Sequence, residues 1–143
     1  MQKVILIGIA GLAGTLIRYW LSGEVAKRYG ETFTYDTLIV NMIGCFVAGV
    51  LLYLMYDRAL TSPTTRAVVF FGLLSGFTTF SSYGLQTFTL LRDAEFALAL
   101  LNIAVSNVAC LFLVWGGYKL AGLGDSELTD KWGRMYCFNI PRC

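Results

Sequence analysis

The chain has 143 residues, of which 57% are hydrophobic and 14% are charged, and its formal net charge is +2. Soluble domains usually carry about 25% charged residues, so this composition excludes an ordinary soluble domain and indicates a membrane protein. The basic residues form no cluster with interleaved aromatic side chains, which argues against a nucleic-acid partner.

Four apolar segments are long enough to cross a bilayer as α-helices, because lipid offers the backbone no other local hydrogen-bond partner. They cover residues 4–21, 37–56, 67–91 and 96–118. The first resembles a secretory signal but lacks a convincing small-residue cleavage site, so it is interpreted as a retained helix. The sequence therefore predicts an all-α membrane protein with four transmembrane helices in residues 1–123. The polar tail, residues 124–143, is assigned no function.

Basic residues are spread evenly over the two predicted sides of the membrane. On the side of the N-terminus lie Lys3, Arg58, Arg66 and Lys119, and on the other side lie Arg18, Lys27, Arg28 and Arg92. Most membrane proteins carry an excess of basic residues in their cytoplasmic loops, and that excess sets the orientation. The even count favours insertion in both orientations and an antiparallel homodimer. The alternatives are chance in small numbers or an orientation set by the basic residues of the tail.

Small residues recur on the first two segments. Gly8, Gly11 and Gly14 are spaced every three residues, and the second segment carries Gly44 and Gly49. Small side chains allow helix backbones to approach closely in lipid. The pattern predicts helix-packing surfaces rather than a dinucleotide-binding site, which would need a different spacing after a strand.

The four cysteines match no zinc-ligand spacing, and the chain has no histidine. Cys45 and Cys110 lie in apolar segments, where a thiol is usually a small packing group. Cys137 and Cys143 lie in the tail. All four are therefore expected to be structural or incidental.

The third segment carries hydroxyl groups at its centre, where unsatisfied polar groups are most unfavourable. Gly76 and the consecutive Thr78 and Thr79 are weak helix formers, so a break is predicted there. Backbone carbonyls freed by a break need a partner, and a bound cation would serve. Asn41 in the second segment either bonds a neighbouring helix or offers its amide hydrogens to an anion.

Further neutral polar groups share helix faces. In the fourth segment, Asn102, Ser106 and Cys110 follow one another at intervals of four, and Phe80 and Tyr83 share a face of the third. No Asp, Glu, Lys or His lies in the central part of any segment, although a proton-coupled or cation exporter would need one. Hydroxyl and amide hydrogens and the positive edges of aromatic rings suit a small, hard anion that must lose its water.

Three motifs in this order resemble those of the Fluc (CrcB) fluoride channels. They are GLAGTLIRY at residues 11–19, NMIG at 41–44 and GFTTFSSY at 76–83, and the third is the most specific. The resemblance covers roughly residues 1–122. It implies a multi-pass protein of the cell membrane that forms an antiparallel, dual-topology homodimer with two fluoride pathways. That oligomer agrees with the even charge count.

The resemblance also implies roles for individual residues. Asn41 would lie in the polar vestibule, and Phe80 and Tyr83 would turn their ring edges toward fluoride. A central structural Na⁺ would be held by the backbone carbonyls of Ser75 and Thr78. Arg18 would correspond to the arginine of the first family motif. The polar track beside the fluoride pathway would be formed by Thr79, Ser82, Ser106 and Asn102.

Several positions depart from the family pattern. Tyr83 stands where the family usually has phenylalanine, and Gln86 stands where many members have glutamate. Asn102 stands where tyrosine is common, and Ser75 stands where the family has glycine. The resemblance implies a passive fluoride channel, not an enzyme, which exports fluoride that enters cells as HF. Two alternatives are a small dual-topology drug exporter, which would need a membrane-embedded acid, and a membrane scaffold without transport.

Overall fold

The computed structural model describes residues 1–29, 35–57 and 61–123, so the tail and Arg58 lie outside the described residues. All regular structure within these ranges is helical. The described chain contains four helices long and apolar enough to cross a membrane: Gln2–Arg28, Tyr35–Asp57, Pro63–Arg92 and Phe96–Ala121. The predicted all-helical membrane protein with four spans is confirmed.

Two of the spans are single α-helices, and two contain irregular turns. The elements are α1 (Gln2–Tyr29), α2 (Tyr35–Leu52) with a π-helical end (Tyr53–Asp57), α3 (Pro63–Ala67) followed by a π-helical stretch (Val68–Leu74), α4 (Ser75–Phe77), α5 (Phe80–Arg92) and α6 (Phe96–Ala121). The first helix extends beyond its apolar segment, where Lys27 and Glu24 form an ion pair of 2.8 Å on consecutive turns.

Local sequence signals set the ends of the third span. Ser62 caps α3, its hydroxyl accepting a hydrogen bond from the Thr65 amide at 3.2 Å, and Pro63 occupies the first helical position. After α5, the Glu95 amide donates to the Leu90 carbonyl at 2.8 Å, and Ala94 has a φ of 61°. This tight turn allows α6 to begin only four residues after α5 ends.

Glycines bring α1 into backbone contact with the third span. A Cβ atom added at Gly14 would collide with the Leu73 carbonyl, and one added at Gly76 would collide with the Gly11 carbonyl. The packing roles predicted for Gly11 and Gly14 are confirmed. Among the described residues, a Cβ added at Gly8 would meet no atom within 4 Å, so Gly8 does not lie at a close helix contact there. The close approach holds α1 against the centre of the third span, where its polar residues lie.

Helices α2 and α6 pack against each other through an extensive interface. A Cβ at Gly49 would collide with the Val114 carbonyl, and one at Gly117 would collide with the Phe46 carbonyl. Val40 is fully buried near the start of α2. Many large apolar side chains of the spans face outward, as is expected where lipid or a second protein surface replaces water. The two helices form one wall of the site described next.

Candidate functional site

The third span is interrupted at Thr78 and Thr79, as predicted. Both residues have extended backbones, with φ and ψ of −83° and 154° at Thr78 and −145° and 114° at Thr79. The Thr79 hydroxyl then caps α5 by accepting from the Ser82 amide at 3.2 Å. Two β-branched residues in succession therefore end one helix and begin the next in the middle of a span.

Asn41 on α2 binds both backbone groups of Thr79. Its amide nitrogen donates to the Thr79 carbonyl at 3.1 Å, and its amide oxygen accepts from the Thr79 N–H at 2.8 Å. Of the two interpretations of Asn41, the bond to a neighbouring helix is therefore present. A side-chain amide has two hydrogens, so one remains for another acceptor. Asn41 also contributes to the wall of the cavity described below.

Arg18 reaches the other side of the interruption from α1. Its Nε donates to the Gly76 carbonyl at 3.3 Å, and the Thr15 hydroxyl donates to the same oxygen at 3.5 Å. In a continuous helix this carbonyl would accept from the amide four residues later, but the interruption separates the two. The motif arginine therefore compensates a backbone group that the break has freed.

The carbonyl of Ser75 loses its helical partner for the same reason. In a continuous helix it would accept from the Thr79 amide, which instead donates to Asn41. The Ser75 hydroxyl donates to the Phe70 carbonyl at 3.1 Å, and the Thr78 hydroxyl donates to the Leu74 carbonyl at 3.0 Å. Both hydroxyls thus donate to the preceding turn, and their oxygens retain lone pairs.

A cavity of about 280 Å³ lies beside the interruption. It is lined by Asn41, Cys45, Thr78, Thr79, Phe80, Tyr83, Ser106, Asn107, Cys110 and Leu111. None of these ten side chains carries a carboxylate, ammonium or guanidinium group. Five of the predicted pathway residues thus line one cavity, whereas Ser82 and Asn102 are not among its lining residues.

Phe80 and Tyr83 form an aromatic pair on α5. Their ring centroids are 5.2 Å apart and their planes are inclined by 48°. Phe80 is 79% exposed in the single chain. The Tyr83 hydroxyl accepts a hydrogen bond of 3.2 Å from the amide of Asn107 on α6, which leaves its own hydrogen free to be donated. The extra hydroxyl of Tyr83 is therefore held in a defined position by a neighbouring helix.

Asn102 lies behind the cavity wall, 2% exposed. Its amide nitrogen donates to the Thr87 hydroxyl at 2.9 Å, and its amide oxygen accepts from the Ser106 hydroxyl at 3.3 Å. Thr87 in turn donates to the Tyr83 carbonyl at 2.8 Å. Of the predicted polar row on α6, Ser106 and Cys110 line the cavity, and Asn102 connects the row to α5.

Three further residues near the cavity, Asn107, Cys45 and Thr87, are not predicted from the sequence to belong to the pathway. Asn107 directly follows Ser106, so it does not share the four-residue spacing of Asn102, Ser106 and Cys110. Its hydrogen bond to the Tyr83 hydroxyl, which only the structure shows, identifies it as the residue that positions Tyr83. Thr87, four residues after Tyr83, could have been found by its helical spacing. Gln86, which departs from the family pattern, donates to Asp36 at 3.3 Å, near the start of α2.

Comparisons with known proteins agree with these features. The family model described as "CrcB-like protein, Camphor Resistance (CrcB)" matches residues 5–118. The chain is 40% identical over 121 residues to the fluoride-specific ion channel FluC of Citrifermentans bemidjiense, covering 85% of this chain and 98% of that protein. It is 43% identical over 133 residues to FluC of Opitutus terrae, covering 92% of this chain and all of that protein. The chain belongs to the CrcB family of membrane proteins.

Proposed function

We propose that this protein is a fluoride-specific ion channel, as its relatives are named, and that it conducts fluoride passively. The observation that carries the proposal is the cavity beside the helix interruption, which is lined by neutral hydrogen-bond donors and aromatic rings. A proton-coupled exporter would need an acid in its path, and the residues that line this cavity include no Asp or Glu. In the described chain Asp36 and Asp57 lie at the ends of the second span, away from its centre.

The central physical problem is dehydration, since fluoride binds water strongly. In a medium of low dielectric constant each hydrogen bond to an anion is stronger than in water. The second amide hydrogen of Asn41 and the hydroxyl hydrogen of Tyr83 are available at the cavity wall, and the Ser106 hydroxyl can rotate away from Asn102. The ring edges of Phe80 and Tyr83 add positive partial charge.

The position of the N-terminus of α5 also favours an anion in the cavity. The interruption places the N-terminus of α5 at Phe80, in the cavity wall. The N-terminus of a helix carries a positive partial charge and backbone amides that favour anions. No full positive charge lies among the lining residues, which prevents fluoride from binding too tightly to leave, as conduction requires.

Arg18, Ser82 and Asn102 are then supporting residues. Arg18 holds the Gly76 carbonyl, Ser82 is bonded to the Thr79 cap at 3.1 Å, and Asn102 positions Ser106 and Thr87. We infer that these residues fix the pathway without all touching the ion. Because the lining offers no coupling group, transport would follow the fluoride gradient, and fluoride accumulated from HF in acid surroundings would leave the cell.

The complete channel is proposed to be an antiparallel, dual-topology homodimer. The even distribution of basic residues supports this arrangement, and so does the strong exposure of Phe80, which a second chain would cover. A structural Na⁺ would fit at the break, where the Ser75 carbonyl has lost its helical partner. The carbonyls of Ser75 and Thr78 would hold it, since Na⁺ prefers hard oxygen ligands, and the ion would stabilise the interrupted backbone.

The export role is tested by growth. A bacterium lacking its own fluoride exporters, given this protein, should grow in acid medium containing fluoride. The same strain carrying Phe80→Ile at equal expression should not. Equal sensitivity of the strain with and without the unmodified protein would contradict the proposed export function.

A further inference from the structure

Two cysteines face the same cavity from different helices. Cys45 lies on α2 and Cys110 on α6, both are partly buried, and both are free thiols. Neither has a role in the fluoride pathway proposed above. Cys110 lies four residues after Ser106, so its thiol continues the polar row along the wall of the cavity.

The packing of α2 and α6 brings these thiols together. Gly49 lies four residues after Cys45, and Val114 lies four residues after Cys110, so each pair shares a helix face. The backbones touch where Gly49 meets the Val114 carbonyl. The two cysteines therefore oppose each other one turn earlier, and both line the wall of the same cavity.

Two opposed thiols in an uncharged wall are suited to soft metal ions. Thiolate ligands select soft ions such as Cu⁺, whereas hard cations prefer oxygen. Zinc needs about four ligands, and the described residues contain no group of three or more His, Cys, Asp or Glu side chains. The site thus favours ions that accept two sulfur ligands in a line, namely Cu⁺, Ag⁺ or Hg²⁺.

We propose that Cys45 and Cys110 form a two-thiolate site for a soft metal ion, and that its occupation closes the cavity to fluoride. On binding Hg²⁺, two S–H bonds break, two S–Hg bonds form and two protons pass to water, with no change of oxidation state. The bound ion would lie beside Ser106 and Asn107 in a space of about 280 Å³. The closure, but not the metal binding, rests on the proposed function.

The binding test uses the full-length chain with Cys137→Ser and Cys143→Ser, so that only the paired thiols remain. Titration with Hg²⁺, followed by the ultraviolet absorption of Hg–S bonds, should reach one ion per chain. Adding Cys45→Ser or Cys110→Ser should weaken binding at least tenfold. Cys45→Ala and Cys110→Ala provide a second pair in case serine disturbs packing. Unchanged affinity in the single-cysteine chains would overturn the site.

The closure test measures fluoride efflux from vesicles holding the same variants, each compared with its own rate before Hg²⁺ is added. Stoichiometric Hg²⁺ should abolish efflux from the paired-thiol chain, and excess small thiol should restore it. A further variant that combines Cys45→Ser and Cys110→Ser should be unaffected by Hg²⁺. Binding with undiminished efflux would overturn closure while leaving the site intact. Absence of efflux before treatment would instead contradict the proposed function, because the titration is independent of transport.

Discussion

Asn41 and Thr79 exchange two hydrogen bonds, of 3.1 and 2.8 Å, across the interface between α2 and the interrupted third span. One side chain thereby satisfies both the carbonyl and the amide of a residue that regular helix geometry would have paired within its own helix. Buried backbone groups without partners would be costly in a membrane. The clamp explains how the break can persist at a depth where water is scarce.

Asn41→Asp is expected to slow fluoride efflux by more than about tenfold. A carboxylate cannot donate to the Thr79 carbonyl, and its negative charge repels an approaching anion. The free-energy barrier to fluoride passage should therefore rise by more than about 1.4 kcal/mol, which is the equivalent of a tenfold slower rate. Efflux from loaded vesicles measures the effect. Asn41→Ala, which removes the clamp without adding charge, separates the two causes. Faster efflux through Asn41→Asp would contradict the vestibule role.

Phe80→Ile is expected to reduce efflux by more than about tenfold, because it removes a ring edge from the wall while preserving apolar character. Tyr83→Phe provides the matched control. It retains the ring and loses only the hydroxyl, which accepts from Asn107 and has one hydrogen to offer fluoride, so its effect on efflux should be smaller than that of Phe80→Ile. Equal efflux through Phe80→Ile and the unmodified chain, with both folded, would remove Phe80 from the pathway.

Asn102→Ala is expected to lower thermal stability in detergent. The change leaves the hydroxyls of Thr87 and Ser106 without their buried partner, which typically costs about 1–3 kcal/mol. Val105→Ala, on a more exposed face of the same helix, should have a smaller effect. An unfolding temperature unchanged by Asn102→Ala would show that this network does not stabilise the α5–α6 contact.

Ala94→Gly is expected to increase stability by about 1 kcal/mol. Ala94 has a left-handed backbone with a φ of 61°, which glycine adopts without steric strain. The turn that ends α5 requires this left-handed conformation. In it, the Ala94 amide donates to the Leu91 carbonyl at 3.2 Å and the Glu95 amide donates to the Leu90 carbonyl at 2.8 Å. Thermal unfolding measures the change. The control Ala97→Gly, within α6, should act in the opposite direction.

The dual-topology proposal is tested by labelling at opposite ends of the third span. Exposed Thr64 and Glu95 are replaced singly by cysteine in the chain with Cys137→Ser and Cys143→Ser. An impermeant thiol reagent is added first to intact vesicles and then again after lysis. For each cysteine, about half of the chains should be labelled before lysis and the rest only afterwards. Labelling of one site only from outside and of the other only from inside would establish a single orientation.

Sequence reasoning located the spans and the break because both depend on local chemistry. The four apolar runs and the weak helix formers Thr78 and Thr79 are visible in the sequence itself. The partners of Asn41 and Tyr83 are not, since their contacts join residues 38 and 24 positions apart in the chain. The π-helical stretch Val68–Leu74 was also not predicted, because an ordinary apolar run carries no signal for it.

The most direct test of the central claim is efflux from vesicles containing the purified protein, followed with a fluoride electrode and, in parallel, a chloride electrode. A pathway lined by neutral donors and ring edges should release fluoride rapidly down its gradient while chloride is retained. Fluoride held as long as in protein-free vesicles, or chloride released at the same rate, would contradict it.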